Sequence, residues 1–182
     1  MNQPKNHPRV FDTSQLSVED KLFLQNFPLH RQRFDKIIAD YKIALFTCPC
    51  CGYPTLRMKR GSYEICMLCN WEDDNQDDPD AEEIWGGPNK AYSLIEARIN
   101  FRKYLIMYNP TAPTRRIGGN SNTPAKHAAK QSMIKKFELI GEAKNRETIW
   151  NLLRSIGQEV QALQAETRRK IEEYTHARKT LH

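Results

Sequence analysis

The chain is 182 residues long, with 39% hydrophobic and 27% charged residues and a mean hydropathy of −0.74, enough for one modest core under a largely polar surface. It holds no apolar run near the ~20 residues a membrane span needs and no basic-then-apolar leader, so neither a transmembrane nor a secreted protein is expected. The net charge of +6 is uneven: 7 basic against 5 acidic residues over 1–47, 7 against 10 over 48–112, and 14 against 7 over 113–182.

Residues 1–13 contain two prolines and little apolar material and read as a loose tail. Ser17, with Asp20 three residues on, is a helix N-cap, and Leu22, Phe23 and Leu24 form a short helix that Pro28 is expected to stop. Phe34, Ile37, Ile38, Tyr41 and Leu45 then recur at helical spacing and predict a second helix that leads into the cysteines.

All five cysteines, Cys48, Cys50, Cys51, Cys66 and Cys69, fall inside 22 residues. An odd count without an export signal argues against a disulfide framework. With Cys50 set aside, Cys48 and Cys51 form one C-x2-C pair and Cys66 and Cys69 another, fourteen residues apart, which is the spacing of a tetrahedral four-thiolate metal site. Each pair is followed by a residue that tolerates positive φ, Gly52 and Asn70, as a tight knuckle requires. Between the knuckles, Thr55–Lys59 and Ser62–Ile65 alternate around Arg60-Gly61 and predict a β-hairpin. Cys48-Pro49-Cys50-Cys51 also spells the C-P-x-C of a thiol-redox centre, but Gly52-Tyr53-Pro54 is a poor helix start and the second pair has no place in that scheme. One structural Zn2+ on Cys48, Cys51, Cys66 and Cys69 is therefore expected, although four thiolates also suit iron. Cys50 is left as a buried hydrophobe, a reactive thiol or an alternative ligand.

Trp71 to Glu83 holds eight carboxylates in thirteen residues. The bland account is a solvated acidic loop; the others are a basic protein partner or a hard cation such as Ca2+, for which the calcium-loop glycine is missing. The candidate partner-contact residues are Trp71, Glu72, Asp73, Asp74, Asp77, Asp78, Asp80 and Trp85. Ser93-Leu94-Ile95-Glu96 is a capping box opening a helix with Leu94, Ala97, Phe101, Tyr104, Leu105 and Tyr108 on one face, ending before Pro110. Residues 109–124, with three prolines and two glycines, read as a linker. Thr123-Pro124 starts a helix running to about Gly141, and a long helix follows from about Asn145 to Arg178. Its apolar positions Ile149, Leu153, Ile156, Val160 and Leu163, with Thr167, Ile171 and Tyr174 beyond, step by 4 and 3 and demand a partner, either another helix of the chain or a second copy. Arg168, Arg169 and Lys170 form a basic run near its end, a macrodipole complement or a phosphate contact.

Cys48-Pro49-Cys50-Cys51-Gly52-Tyr53, Gly61–Cys66, Cys69-Asn70-Trp71-Glu72-Asp73-Asp74, Gln76-Asp77, Pro79-Asp80, Gly86-Gly87, Asn89 and Ser93–Phe101 together resemble the bacterial cysteine-rich CPCC family over about residues 46–105. Met67-Leu68 departs from the proline and valine often found in that family and leaves the knuckle spacing intact. The resemblance implies a small zinc-ribbon-like domain. Related genes often sit in bacterial toxin and competition neighbourhoods, which implies a cytoplasmic immunity protein.

The fold expected is α+β and predominantly helical: an N-terminal tail and helices (1–45), a central four-cysteine zinc ribbon with a β-hairpin (46–108), a linker (109–124) and a basic helical segment (125–182). No zincin or deaminase spacing, phosphate loop or serine elbow is present, so catalysis is not expected. The function expected is a non-catalytic protein-interaction module, an immunity protein that occludes a cognate toxin. The alternative is a nucleic-acid-binding protein that uses the basic C-terminal helices, and a homodimer through the long helix stays open.

Overall fold

The computed structural model describes residues 9–111 and 123–179. They fall into two compact units, Met1–Ser121 and Asn122–His182. The architecture is α+β and predominantly helical, with four helices and two small two-stranded sheets among the described residues. None of these helices is long and apolar enough to cross a membrane.

The first unit opens with β1 (Arg9–Val10), which pairs antiparallel with β4 (Glu83–Ile84). The expected loose tail is thus tied down from Arg9 onward, and the Phe11 N–H extends the pairing to the Glu82 carbonyl at 2.8 Å; residues 1–8 lie outside the described residues.

Helix α1 (Val18–Tyr41) begins at Ser17, whose hydroxyl accepts the Asp20 N–H at 3.1 Å, and ends where Lys42 turns left-handed at φ 52°. It runs straight through Pro28, where the sequence predicts a break. An interior proline costs about 3 kcal/mol. Phe27 and Phe34, 2% and 0% exposed, lie on either side of it. Fully burying each such side chain contributes roughly 1.5–3 kcal/mol, enough to offset the proline.

β2 (Phe46–Thr47) and β3 (Pro54–Leu56) pair antiparallel across the first cysteine knuckle. The hairpin predicted between Thr55–Lys59 and Ser62–Ile65 does not form. Residues 63–66 pair instead with 71–73 across the second knuckle, through Tyr63 N–H to Asp73 O (3.0 Å), Asp73 N–H to Glu64 O (3.0 Å) and Cys66 N–H to Trp71 O (2.8 Å). Side chains satisfy the backbone that such a ladder would have used: the Glu64 carboxylate accepts the N–H groups of Arg57 and Met58, each at 2.7 Å, and Asp73 accepts that of Gly61 at 2.9 Å. Each knuckle is therefore its own hairpin.

Helix α2 (Leu94–Tyr104) is capped by Ser93, which accepts the Glu96 N–H at 3.1 Å. It stops at Leu105 in the left-handed region, φ 55°, earlier than the apolar periodicity predicts. The turn sends Ile106, Met107 and Tyr108 back into the core, where the Met107 N–H reaches the Cys69 carbonyl at 2.7 Å. At the other end of the layer, buried Asp20 accepts from Arg102 (3.1 Å) and Lys103 (2.8 Å), joining the start of α1 to the end of α2. Most of the expected linker, residues 112–122, lies outside the described residues.

The second unit is a helical hairpin. Helix α3 (Pro124–Glu142) is capped by Thr123, and helix α4 (Arg146–Lys179) returns after a three-residue turn. Met133, Phe137 and Ile140 of α3 and Ile149 and Ile156 of α4 are buried, while Leu153, Val160 and Leu163 are half-buried. The predicted apolar stripe of α4 thus finds its partner within the chain, in α3. Ser132 and Lys136 both donate to Glu159 across that interface. The further stripe positions Ile171 and Tyr174 have side chains outside the described residues.

Candidate metal centre

The two knuckles are built alike. In the first, the Cys48 N–H donates to Tyr53 O and the Gly52 N–H to Cys48 O, both at 2.9 Å. In the second, the Cys66 N–H donates to Trp71 O at 2.8 Å and the Asn70 N–H to Cys66 O at 2.9 Å. The residue after each second cysteine turns left-handed as the sequence predicts, Gly52 at φ 78° and Asn70 at φ 65°. This reversal aims both thiols of a pair to one side.

The two pairs face each other. Cys48 Sγ lies 3.6 Å from Cys69 Sγ, Cys51 Sγ lies 3.7 Å from Cys66 Sγ, and all four sulfurs fall within 4.8 Å of one another. A tetrahedron of metal–sulfur bonds of about 2.3 Å has edges of about 3.8 Å. The four side chains are buried, at 0%, 3%, 0% and 0% exposure in chain order. The Trp71 N–H donates to Cys69 Sγ at 3.4 Å and Thr55 Oγ1 lies 3.1 Å from Cys66 Sγ, so neighbouring groups are placed to hold thiolates.

The four thiols are shifted unequally by their surroundings. Burial pushes the Cys48, Cys51 and Cys69 thiols up. Burial acts the same way on Cys66, but hydrogen bonds from Cys48, Cys51 and Cys69 outweigh it and hold that thiol well below its ordinary value. Sulfurs this close and this dry would ionise together only with a positive ion between them. The four cysteines can hold one metal ion. Cys50, equally buried, is not one of that set. No helix follows Cys48–Cys51, the arrangement a dithiol activated by a helix N-terminus would need.

Three aspartates of the acidic stretch are paired with arginines. Asp73 is 0% exposed and is clasped by the Arg60 Nε at 2.9 and 3.0 Å. Asp77 takes both Arg31 and Arg60, and Asp78 accepts from Arg98 at 2.5 Å. Burial alone would raise the Asp77 carboxyl, but the two arginines hold it well below the usual carboxylate range. Asp74, bonded by Asn89 at 3.1 Å, is raised by burial. Asp80 accepts the Asp77 N–H at 2.8 Å, and the Glu72 N–H and carbonyl are both bonded by Asn89. Of the residues singled out as partner contacts, Trp71 and Asp73 are wholly interior, whereas Trp85 stays 44% exposed with its indole N–H on Glu83.

Sequence reasoning missed the three arginines. Arg31 comes from α1, 46 residues from Asp77, and also bonds Thr47 at 3.1 Å beside the first knuckle. Arg98 of α2, 4% exposed, donates to the Pro49 carbonyl inside that knuckle at 2.9 Å and stacks 4.0 Å over Phe27. The signal available was the acidic run itself, which could fold only against cations drawn from elsewhere in the chain. In the second unit, Arg168 and Arg169 are exposed and Arg169 pairs with Glu173 at 3.6 Å; the Lys170 side chain lies outside the described residues.

Residues 46–121 match the model of the cysteine-rich CPCC family, so this segment is a cysteine-rich CPCC domain. No curated protein and no solved structure matches the chain.

Proposed function

We propose that the cysteine-rich CPCC domain is a structural zinc module and that the chain it organises is a non-catalytic protein-binding module. The observation that carries the reading is the closed, buried set of four sulfurs on Cys48, Cys51, Cys66 and Cys69. Four protein ligands fill a tetrahedron and leave no position for water or substrate, which favours a folding role over a catalytic one. When bound, the ion supplies cross-linking free energy to two short hairpins that could not stand on their own cores. The chain's residues do the rest: Gly52 and Asn70 turn the knuckles, Thr55 and Trp71 hydrogen-bond the sulfurs, and Arg98 ties the first knuckle to α2 and the acidic stretch.

The sharper form of this reading is a cytoplasmic bacterial immunity protein that neutralises a toxin by occlusion, and the family resemblance supports it. Exposed Trp85 and the basic second unit, with 12 Lys and Arg against 7 Asp and Glu over residues 122–182, are its candidate contact surfaces. The test is tagged purification from the producing bacterium, with metal analysis and mass spectrometry on one sample. About one zinc per chain and a stoichiometric protein partner are expected. Iron would overturn the zinc assignment, and the absence of any stoichiometric protein would overturn the binding role.

A further inference from the structure

One strip of helix α4 runs Arg146, Trp150, Arg154, Gly157, Gln161 and Arg168, steps that keep to one side of a 3.6-residue helix. It contains no carboxylate from end to end, although Glu147 borders it. Arg146, Arg154, Gln161 and Arg168 are exposed, and Trp150 is 38% exposed, with the Arg146 guanidinium 5.9 Å from its ring centroid. Among the described residues no ion pair joins Arg146, Arg154 or Arg168 to a carboxylate. The first unit does the opposite, pairing Arg31, Arg60, Arg98 and Arg102 with aspartates.

Gly157 supplies the second observation. A glycine inside a helix destabilises it relative to alanine, so its presence asks for a reason. Its own fold gives none: a Cβ added there meets nothing within 4 Å, and its φ is not left-handed. Gly157 does, however, leave a gap in the side-chain cover of α4 between Arg154 and Gln161, where another backbone can approach closely.

Arginine and tryptophan without lysine, aspartate or glutamate is the composition of a protein-interface core. A second copy crossing here would set arginine against arginine, so self-association is disfavoured by charge. We propose that this face of α4 docks an acidic amphipathic helix of a partner protein, which crosses at Gly157 and is anchored by Trp150 and the flanking arginines. The proposal rests on the reading of the chain as a protein-binding module and names its surface and the chemistry of its partner.

The test titrates the full-length, zinc-loaded protein with a labelled synthetic helical peptide carrying glutamates on one side and leucine and alanine on the other. A single-stranded thymidine oligonucleotide of equal charge is titrated in parallel, both followed by fluorescence anisotropy. The expected result is saturable, salt-sensitive peptide binding that Arg154→Glu and Gly157→Leu each weaken roughly tenfold, as for loss of an anchor. Helix content by circular dichroism is expected to stay unchanged in both variants, and Gly157→Ala to raise Tm. No peptide binding, or equal binding by the variants, overturns the proposal. Preference for the oligonucleotide, lost in the same variants, overturns the protein-helix assignment in favour of nucleic acid. In the copurification experiment, a natural partner that stays with both variants sinks this surface alone, whereas no partner on the wild-type chain sinks the protein-binding reading.

Discussion

Replacing Arg98 with methionine keeps most of the side-chain volume and removes the charge, which isolates what the buried guanidinium does. Arg98 is 4% exposed and makes three contacts: Nε to the Pro49 carbonyl at 2.9 Å, a terminal nitrogen to Asp78 at 2.5 Å, and the Phe27 ring face at 4.0 Å. A charged hydrogen bond contributes roughly 1.5–3 kcal/mol. The Asp78 side chain is 44% exposed, so that pair is discounted to about 0–1 kcal/mol. The stacking adds about 1 kcal/mol, and release of a buried charge from its desolvation penalty offsets part of the total. Arg98→Met is therefore expected to destabilise the first unit by about 2–3 kcal/mol. At roughly 4 °C per kcal/mol for a unit of this size, Tm falls by about 8–12 °C. The assay is scanning calorimetry of full-length protein as purified with its metal, with Arg102→Met as the control. Arg102 shares Asp20 with Lys103 and is itself 35% exposed, so its loss is expected to cost under about 1 kcal/mol. Equal costs for the two variants would refute the claim that Arg98 clamps the first knuckle.

Three further outcomes follow from the same geometry. Gly52→Ala puts a Cβ 2.7 Å from His30 Cδ2 at a φ of 78°, and is expected to lose about 1–3 kcal/mol by urea titration; an unchanged midpoint would remove the need for glycine in the first knuckle. Cys50→Ser is expected to keep about one metal ion per chain and Cys51→Ser to lose it, read by metal analysis after gel filtration; the reverse would make Cys50 the ligand. For pH, Asp77 is held below its unfolded value by Arg31 and Arg60. Its contribution is fully present above the unfolded carboxylate value of about 4 and is lost as pH falls below it. The stability gap between wild type and Asp77→Asn should therefore narrow from pH 6 toward about pH 3, and protonation of the thiolates cancels in the difference. A gap that stays constant would show that the arginines do not depress Asp77.

What could be read in the sequence was what is decided locally. The cysteine spacing, the left-handed positions at Gly52 and Asn70, and the caps at Ser17, Ser93 and Thr123 all depend on residues within a turn or two, and all stand in the structure. The misreadings arose where distant residues decide. Pro28 stays helical because Phe27 and Phe34 are buried by the rest of the unit. The central hairpin is displaced because Glu64 and Asp73 take the amide groups that would have formed its ladder. The acidic stretch looks like a solvated loop until Arg31, Arg60 and Arg98 arrive from three parts of the chain. Composition gave the charge of that stretch but not the pairing of Asp73, Asp77 and Asp78.

The likeness of the two knuckles has a consequence for the order of assembly. Each reversal spans only five or six residues, and closing a short loop takes tens of nanoseconds. Each knuckle can thus act as a two-toothed pincer before the rest of the chain has collapsed. The contacts that close the rest of the first unit are of another kind: Arg31 to Asp77 joins residues 46 apart, Arg98 to Pro49 joins residues 49 apart, and Lys103 to Asp20 joins residues 83 apart. Such distant closures wait for the chain to be brought together. Ion capture by the pincers would shorten the loops those closures must span, so the first unit should close faster with metal than without it.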